Sequence, residues 1–273
     1  MEPLPGAERA VEKGAALTEL IAVLLGVLEG FTEFLPVSST GHLVLATHAL
    51  GLEQTEFLKS FEIAIQLGSI LAVIVMFSGR FLREIGVWKR VIAGFLPAAV
   101  IGFLLYDVIK GVLLESPALV AINLILVGII LAVVDRRVRK REVESAADIT
   151  DRPIRSAFLI GVVQAFAVVP GVSRSGATII GGLSLGLSRK AAAEFSFLLA
   201  VPTMLAATGY DLLRTGPSFT SEEWKLLAIG SAAAFFVALL TVRWLLAFVS
   251  RYSFMPFAIY RVALGAVYLI VFI

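Results

Sequence analysis

Residues 118–134 read A-L-V-A-I-N-L-I-L-V-G-I-I-L-A-V-V, with no charged side chain among them. A helix needs about 20 such residues to cross the hydrocarbon core of a bilayer. Five other stretches are long and predominantly apolar, each with one or two charged residues: 61–79, 91–114, 191–213, 226–248 and 255–273. Lipid offers no water to backbone N–H and C=O groups, so unbroken runs of this kind must satisfy themselves as helices. The rest of the chain agrees. Of its 273 residues 59% are hydrophobic and 16% charged, whereas soluble domains average about half and about a quarter. The expectation is an all-α polytopic membrane protein with six transmembrane helices. The first sixteen residues, with Glu2, Glu8, Arg9, Glu12 and Lys13, read as a polar tail. Without cysteine there is no disulfide framework and no thiolate metal site. A net charge of +2 gives no reason to expect a nucleic-acid partner.

Two regions do not fit a simple crossing. Residues 17–52 are interrupted by Glu29, Glu33 and a Ser-Ser-Thr-Gly-His run, and 157–187 by P-G-V-S-R-S-G. They resemble each other at a constant offset of 135 residues, pairing Gly26 with Gly161, Phe31 with Phe166, Ser38 with Ser173, Gly41 with Gly176 and Gly51 with Gly186. Three crossings follow each copy. The chain therefore reads as two related halves, 17–134 and 157–273, joined by a linker at 135–156. An odd number of crossings per half turns the second upside down. That is the inverted-topology repeat, whose sites lie near the midplane. Arms 157–169 and 172–187 are short for crossings, whereas arm 17–35 is long enough. Only if both hairpins are re-entrant can their tips meet; full crossings would leave the tips about 30 Å apart.

Lys and Arg set the orientation. The flanks carrying Arg80, Arg83, Lys89, Arg90, Arg136, Arg137, Arg139, Lys140, Arg141, Arg152, Arg155, Arg189, Lys190, Arg243 and Arg251 fall on one side, against Arg9, Lys13, Lys59, Lys110, Arg214 and Lys225 on the other, and the positive-inside rule makes the richer side cytoplasmic. Termini and site then face outward.

The tips hold the chemistry. Glu29 and Glu33 lie four apart, on one helix face. Two carboxylates so close in apolar surroundings call for a divalent metal, a shared proton or an arginine. Pro36 ends that helix. Ser38, Ser39, Thr40 and Gly41 are small and polar, and a helix starting after them aims its N-terminal dipole at a ligand, as phosphate sites do. His42, three residues beyond Ser39, shares its face. The second tip offers Gly171, Ser173, Ser175, Gly176 and Thr178 around Arg174, whose guanidinium suits phosphate and would be costly at membrane depth without an anion. An anion clamp, a hydroxyl, a histidine and two carboxylates are parts for hydrolysing a phosphate group.

E-G-F-T-E-F-L-P-V-S-S-T-G-H (29–42) and P-G-V-S-R-S-G-A-T (170–178) resemble the two signature motifs of bacterial undecaprenyl-pyrophosphate phosphatases of the bacitracin-resistance type. The resemblance runs from about residue 17 onward. It implies hydrolysis of the polyprenyl pyrophosphate lipid to undecaprenyl phosphate and phosphate, recycling the carrier for cell-wall synthesis, in the bacterial inner membrane. It implies that Glu29 and Glu33 handle a divalent cation, Mg or Ca, or a proton. Ser39 matches the nucleophile, His42 the general base or an alternative nucleophile, and Arg174 the phosphate clamp. Ser38, Thr40, Gly41, Gly171, Ser173, Ser175, Gly176 and Thr178 match positions lining the diphosphate. Assembly as a homodimer is compatible with it. The alternative is a transporter or flippase for a lipid phosphate or other anion, since broken inverted repeats also build carriers. A carrier has no need of Ser39 beside His42.

Other polar residues read more plainly. His48 is read as structural or interfacial, Ser184 and Ser196 as packing residues, and Asp107, Glu194 and Asp211 as snorkelling ends or helix-end partners. Glu62 and Gln66 divide evenly between facing a polar cavity and capping their helix. Arg261, inside the last span, is expected to meet a carboxylate or carbonyls.

Overall fold

The first helix begins where Thr18 accepts the N–H of Ile21, so that α1 spans Glu19–Thr32. The computed structural model describes residues 16–108, 116–139 and 148–272. The polar tail therefore lies outside the described residues except for its last position, as do residues 140–147 of the linker. After a turn through Pro36, α2 runs Ser39–Ala49. Then follow α3 (Glu56–Ala64), α4 (Gln66–Arg83), α5 (Ile85–Leu104), the short α6 (Tyr106–Val108) and α7 (Pro117–Arg139). The second half repeats the order with α8 (Ile154–Ala165), α9 (Arg174–Ser184), α10 (Arg189–Thr215), α11 (Ser221–Val249) and α12 (Met255–Phe272).

Among the described residues, five segments are long and apolar enough to cross a membrane: Glu56–Arg83, Ile85–Leu104, Pro117–Val138, Arg189–Ser218 and Ser221–Val249. The sixth expected crossing is the shorter apolar helix Met255–Val271. The hairpin arms are shorter still. With 14, 11, 12 and 11 residues, α1, α2, α8 and α9 reach about 16 to 21 Å at 1.5 Å per residue, well short of a hydrocarbon core of about 30 Å. Arm 17–35 ends its helix at Thr32 and does not use its full length to cross.

The offset of 135 residues seen in the sequence recurs in the backbone. Helices α2 and α9 start and stop at equivalent positions. Ser38 and Ser173, one offset apart, have φ of 73° and 77°, and Gly51 and Gly186 have 63° and 84°. These serines are the only non-glycine residues with positive φ among those described. A side chain there costs of order 1–3 kcal/mol, so both turns are held by their surroundings.

Each hairpin packs on the other half's crossing: α1 on α11, and α8 on α5. The contacts are backbone to backbone. A Cβ on Gly26 would lie 2.2 Å from the Gly230 carbonyl oxygen, and one on Gly161 2.1 Å from that of Gly94. Small residues at such crossings let helices approach where lipid supplies no hydrophobic drive. The core between them includes Phe34, Phe195 and Phe197, all buried, and the Phe34 ring meets Phe197 edge-on with centroids 5.3 Å apart. That contact seats the first tip on α10. At the basic end, Arg80 joins Glu84, Asp148 and Glu194 at 3.2, 2.6 and 3.1 Å.

Gly26→Leu and Gly161→Leu should each destabilise the folded protein by more than about 2 kcal/mol through overpacking. Gly79→Ala, whose added Cβ meets nothing within 4 Å, should be neutral or slightly stabilising. Thermal unfolding in detergent by intrinsic fluorescence measures all three.

Candidate active site

Ser39 and Arg174 occupy the same position in the two halves, each the first residue of a helix that follows a positive-φ serine. The caps are the same: Ser38 Oγ accepts from Gly41 N–H at 3.2 Å, and Ser173 Oγ from Gly176 N–H at 3.0 Å. Glu33, at the C-terminal end of α1, joins the two. Its Oε2 accepts the Ser39 hydroxyl, and its Oε1 accepts Nη2 of Arg174 at 2.8 Å. The ion pair is almost wholly enclosed, with side-chain exposures of 9% and 2%. Buried charges persist only when paired and hydrogen-bonded. Here the second terminal nitrogen is engaged as well: Nη1 reaches the carbonyl of Ser196 at 2.7 Å and its hydroxyl at 3.1 Å, while Nε has no hydrogen-bond partner among the described residues. Thr178 donates to Ser196 Oγ at 2.7 Å, and Ser175 to the Phe34 carbonyl at 3.1 Å.

Arg261 is the brace beneath both tips. It is fully buried, and its guanidinium donates to the carbonyls of Pro36 at 3.0 Å, Gly171 at 2.6 Å and Val172 at 3.1 Å. Pro36 belongs to the first tip, Gly171 and Val172 to the second. Asn123 on α7 adds a bond to the Pro170 carbonyl at 2.9 Å. Irregular backbone at membrane depth is tolerated when protein donors satisfy it, and these two side chains do so. Of the readings open for Arg261, carbonyl pairing is the one observed.

A cavity of about 480 Å³ opens against the tips. Its polar end holds Glu33, Ser38, Ser39, Thr40, Ser173 and Arg174, with Gly171 beside them. Glu62, Gln66 and Gln164 line its middle, which places Glu62 and Gln66 on the cavity rather than at a cap; Glu62 also accepts from Thr47 at 3.1 Å. The far end is apolar and aromatic, with Phe103, Tyr106 and Tyr210. Its walls are the C-terminal halves of α5 and α10, each interrupted by a proline, Pro97 and Pro202.

The structure therefore brings together Ser39, Glu33 and Arg174, with Ser38, Thr40, Gly171 and Ser173 around them. Gly41, Ser175, Gly176 and Thr178 lie behind this surface and shape the helix starts rather than line the cavity. His42 also stands apart from it. Its Nδ1 meets the Ser38 carbonyl at 2.7 Å and its Nε2 the Tyr260 hydroxyl at 2.8 Å. Glu29 is completely buried, and neither carboxylate oxygen has a hydrogen-bond partner. Among the described residues no three His, Asp or Glu side chains converge as a metal cage. Two carboxylates, one with both oxygens unengaged, nevertheless fit a divalent ion of the Mg type, which is usually held by one or two carboxylates plus substrate phosphates.

Tyr260, Asn123 and Ser196 were missed as site residues from the sequence, and Ser196 had read as packing. A tyrosine within a span, away from the interfacial belt where that residue concentrates, is a usable signal, strengthened by its neighbour Arg261. Ser196 and Asn123 carry no comparable mark. His48 is structural as expected, meeting the Tyr268 hydroxyl at 2.6 Å. Asp107 and Glu194 pair with Arg214 and Arg80, and Asp211 accepts from Tyr106 at 2.5 Å.

The chain matches the family model described as bacitracin resistance protein BacA over residues 22–267. It is 54% identical over 252 residues to a protein of Aquifex aeolicus named undecaprenyl-diphosphatase, covering 92% of this chain and 98% of the relative. Proteins of the same name from Thermus thermophilus and Persephonella marina are 53% and 52% identical, covering 92% and 91% of this chain and 97% of each relative.

Arg261→Met would leave the tip carbonyls without their donor. Expected is a loss of at least about 3 kcal/mol of stability, each unmet buried group costing about 1–3 kcal/mol. Arg261→Lys should fall between this and the unmodified protein. Thermal midpoints in detergent decide; equal midpoints for all three would contradict the brace.

Proposed function

Because the chain belongs to the BacA bacitracin-resistance family, we propose that it hydrolyses undecaprenyl pyrophosphate to undecaprenyl phosphate and phosphate, returning the lipid carrier to cell-wall synthesis. The observation that carries the site assignment is the Ser39–Glu33–Arg174 cluster, drawn from both halves and open to one cavity.

Ser39 Oγ attacks the terminal phosphorus. As it does so, its proton passes to Glu33 Oε2, which already accepts it in a hydrogen bond. The bond between that phosphorus and the bridging oxygen breaks, and undecaprenyl phosphate leaves with the electron pair. Water then attacks the phosphoserine phosphorus, the bond to Oγ breaks, and the proton held by Glu33 restores the Ser39 hydroxyl as phosphate departs. Arg174 offers its positive charge to the equatorial oxygens, where preorganised donors gain most in a water-poor site. The N-termini of α2 and α9 add backbone N–H groups from both sides. Glu29 and Glu33 are the residues that would hold a divalent cation, Mg or Ca, and such an ion supplies charge neutralisation on the phosphoryl oxygens.

The apolar far end of the cavity suits the first isoprenoid units, while the rest of the chain lies among lipid. The basic ends of α5 and α10 are the starts of those helices, at Lys89 and Arg90 and at Arg189 and Lys190, and the cavity lies at their other ends. With the basic flanks cytoplasmic, the site opens to the outer side of the bacterial inner membrane. The hydroxyl–carboxylate pair favours an enzyme over a carrier.

Purified protein should release phosphate from undecaprenyl or farnesyl pyrophosphate. Ser39→Ala and Arg174→Ala should each reduce kcat by about 10³-fold or more; full activity in either would sink the site assignment. The absence of native cysteine gives a clean topology test. A membrane-impermeant maleimide applied to intact cells should label Ser218→Cys, at the far end of α10, and leave Ser250→Cys unlabelled until the cells are opened. The reverse pattern would turn the cavity to the cytoplasm.

A further inference from the structure

His42 sits one turn into α2 but aims neither ring nitrogen at Ser39. Nδ1 is 2.7 Å from the Ser38 carbonyl, an oxygen that can only accept, so Nδ1 carries the hydrogen. In the neutral ring Nε2 is then the acceptor, and the Tyr260 hydroxyl at 2.8 Å is its donor. The two rings also stack, with an interplanar angle of 8° and centroids 5.6 Å apart. The lone pair that a general base would use is therefore occupied from α12, while the hydroxyl to be activated is bonded to Glu33.

The Ser38 carbonyl receives two bonds from the same residue, since the His42 backbone N–H also donates to it at 3.0 Å. That carbonyl belongs to the peptide linking Ser38 to Ser39. Fixing it anchors the main chain from which Ser39 extends its Oγ toward Glu33. The second tip is an internal control. Ser173 adopts the same positive φ with Ala177 at the position equivalent to His42, and it keeps only the backbone bond, at 2.9 Å. The turn thus forms without an imidazole. The extra restraint is present only on the tip that carries the hydroxyl.

We propose that His42 and Tyr260 are positioning residues: Tyr260 holds the imidazole, the imidazole holds the Ser38–Ser39 peptide, and Glu33 alone takes the serine proton. The inference rests on the reading of Ser39 as nucleophile. A misplacement of about 1 Å in an attacking group can cost about 100-fold, which sets the scale of the effect.

The test is steady-state phosphate release by purified enzyme in detergent with farnesyl pyrophosphate, resolving kcat from KM, with thermal midpoints recorded for each variant. His42→Asn keeps an N–H near the place of Nδ1 and has no titratable group. It should retain kcat within about tenfold, whereas His42→Leu should lose about 100-fold or more, both at near-native KM. Tyr260→Phe keeps the ring stack and removes the hydroxyl; kcat should fall about 3–10-fold with KM and thermal midpoint unchanged. If His42→Asn is as inactive as His42→Leu, the imidazole itself moves a proton and the proposal is overturned. Wild-type kcat in Tyr260→Phe overturns it as well. Should His42→Leu fail to fold, the Asn and Phe variants decide alone. A Ser39→Ala enzyme that still turns over would instead remove the nucleophile reading on which the inference stands.

Discussion

Loops that stop halfway through a membrane need donors for their carbonyls, and here a single guanidinium serves three of them across both loops. Arg261 reaches from α12 into both tips at once, bonding Pro36 on one side and Gly171 and Val172 on the other. The same side chain therefore satisfies irregular backbone and sets the distance between the two halves of the site. Everything nearer the cavity is arranged on top of that brace: the positive-φ serines, the helix starts and the Glu33–Arg174 pair that spans the gap. A buried cation whose bonds all go to carbonyls also leaves its charge available to an anion seated above it.

The two halves share a backbone and divide the chemistry. At equivalent positions one tip has Ser39 where the other has Arg174, Glu29 where the other has Gln164, and His42 where the other has Ala177. In the reaction we propose, the first tip supplies the proton donor Ser39 and its acceptor Glu33, and the second supplies the positive charge of Arg174. Neither tip alone could attack a phosphate and absorb the charge that develops. Both oxygens of Glu29 and the Oε1 of Gln164 lack hydrogen-bond partners, but the Gln164 amide also donates to Thr203 at 3.2 Å, a bond that a carboxylate at the equivalent position cannot make.

Much of this was legible in the residues. Proline and glycine inside apolar runs marked both tips, the repeat offset predicted that they would face each other, and Arg174 demanded an anion that proved to be Glu33. Two things were not legible. Spacing places Ser39 and His42 on one helical face, but it does not reveal that the imidazole turns to a tyrosine more than two hundred residues away. Nor does spacing reveal bonds to main-chain carbonyls, because every residue has one; hence Asn123 and Ser196 looked like ordinary membrane-helix residues until their tertiary partners were visible. The length of the first arm was ambiguous for a related reason. Hydropathy reports what lipid would accept, and only the break at Thr32 reports where the helix stops.

The exchange of hairpins between halves has a consequence for biogenesis. α1 lies on α11, and α12 carries the brace for both tips, so the amino-terminal half emerges from the ribosome and enters the bilayer with its hairpin undocked. The hydroxyl and the guanidinium cannot be locked in register until the last span is inserted. Until α12 is in place the Pro36, Gly171 and Val172 carbonyls lack the donor that Arg261 gives them. Insertion of the last span and assembly of the paired tips are thereby one physical event.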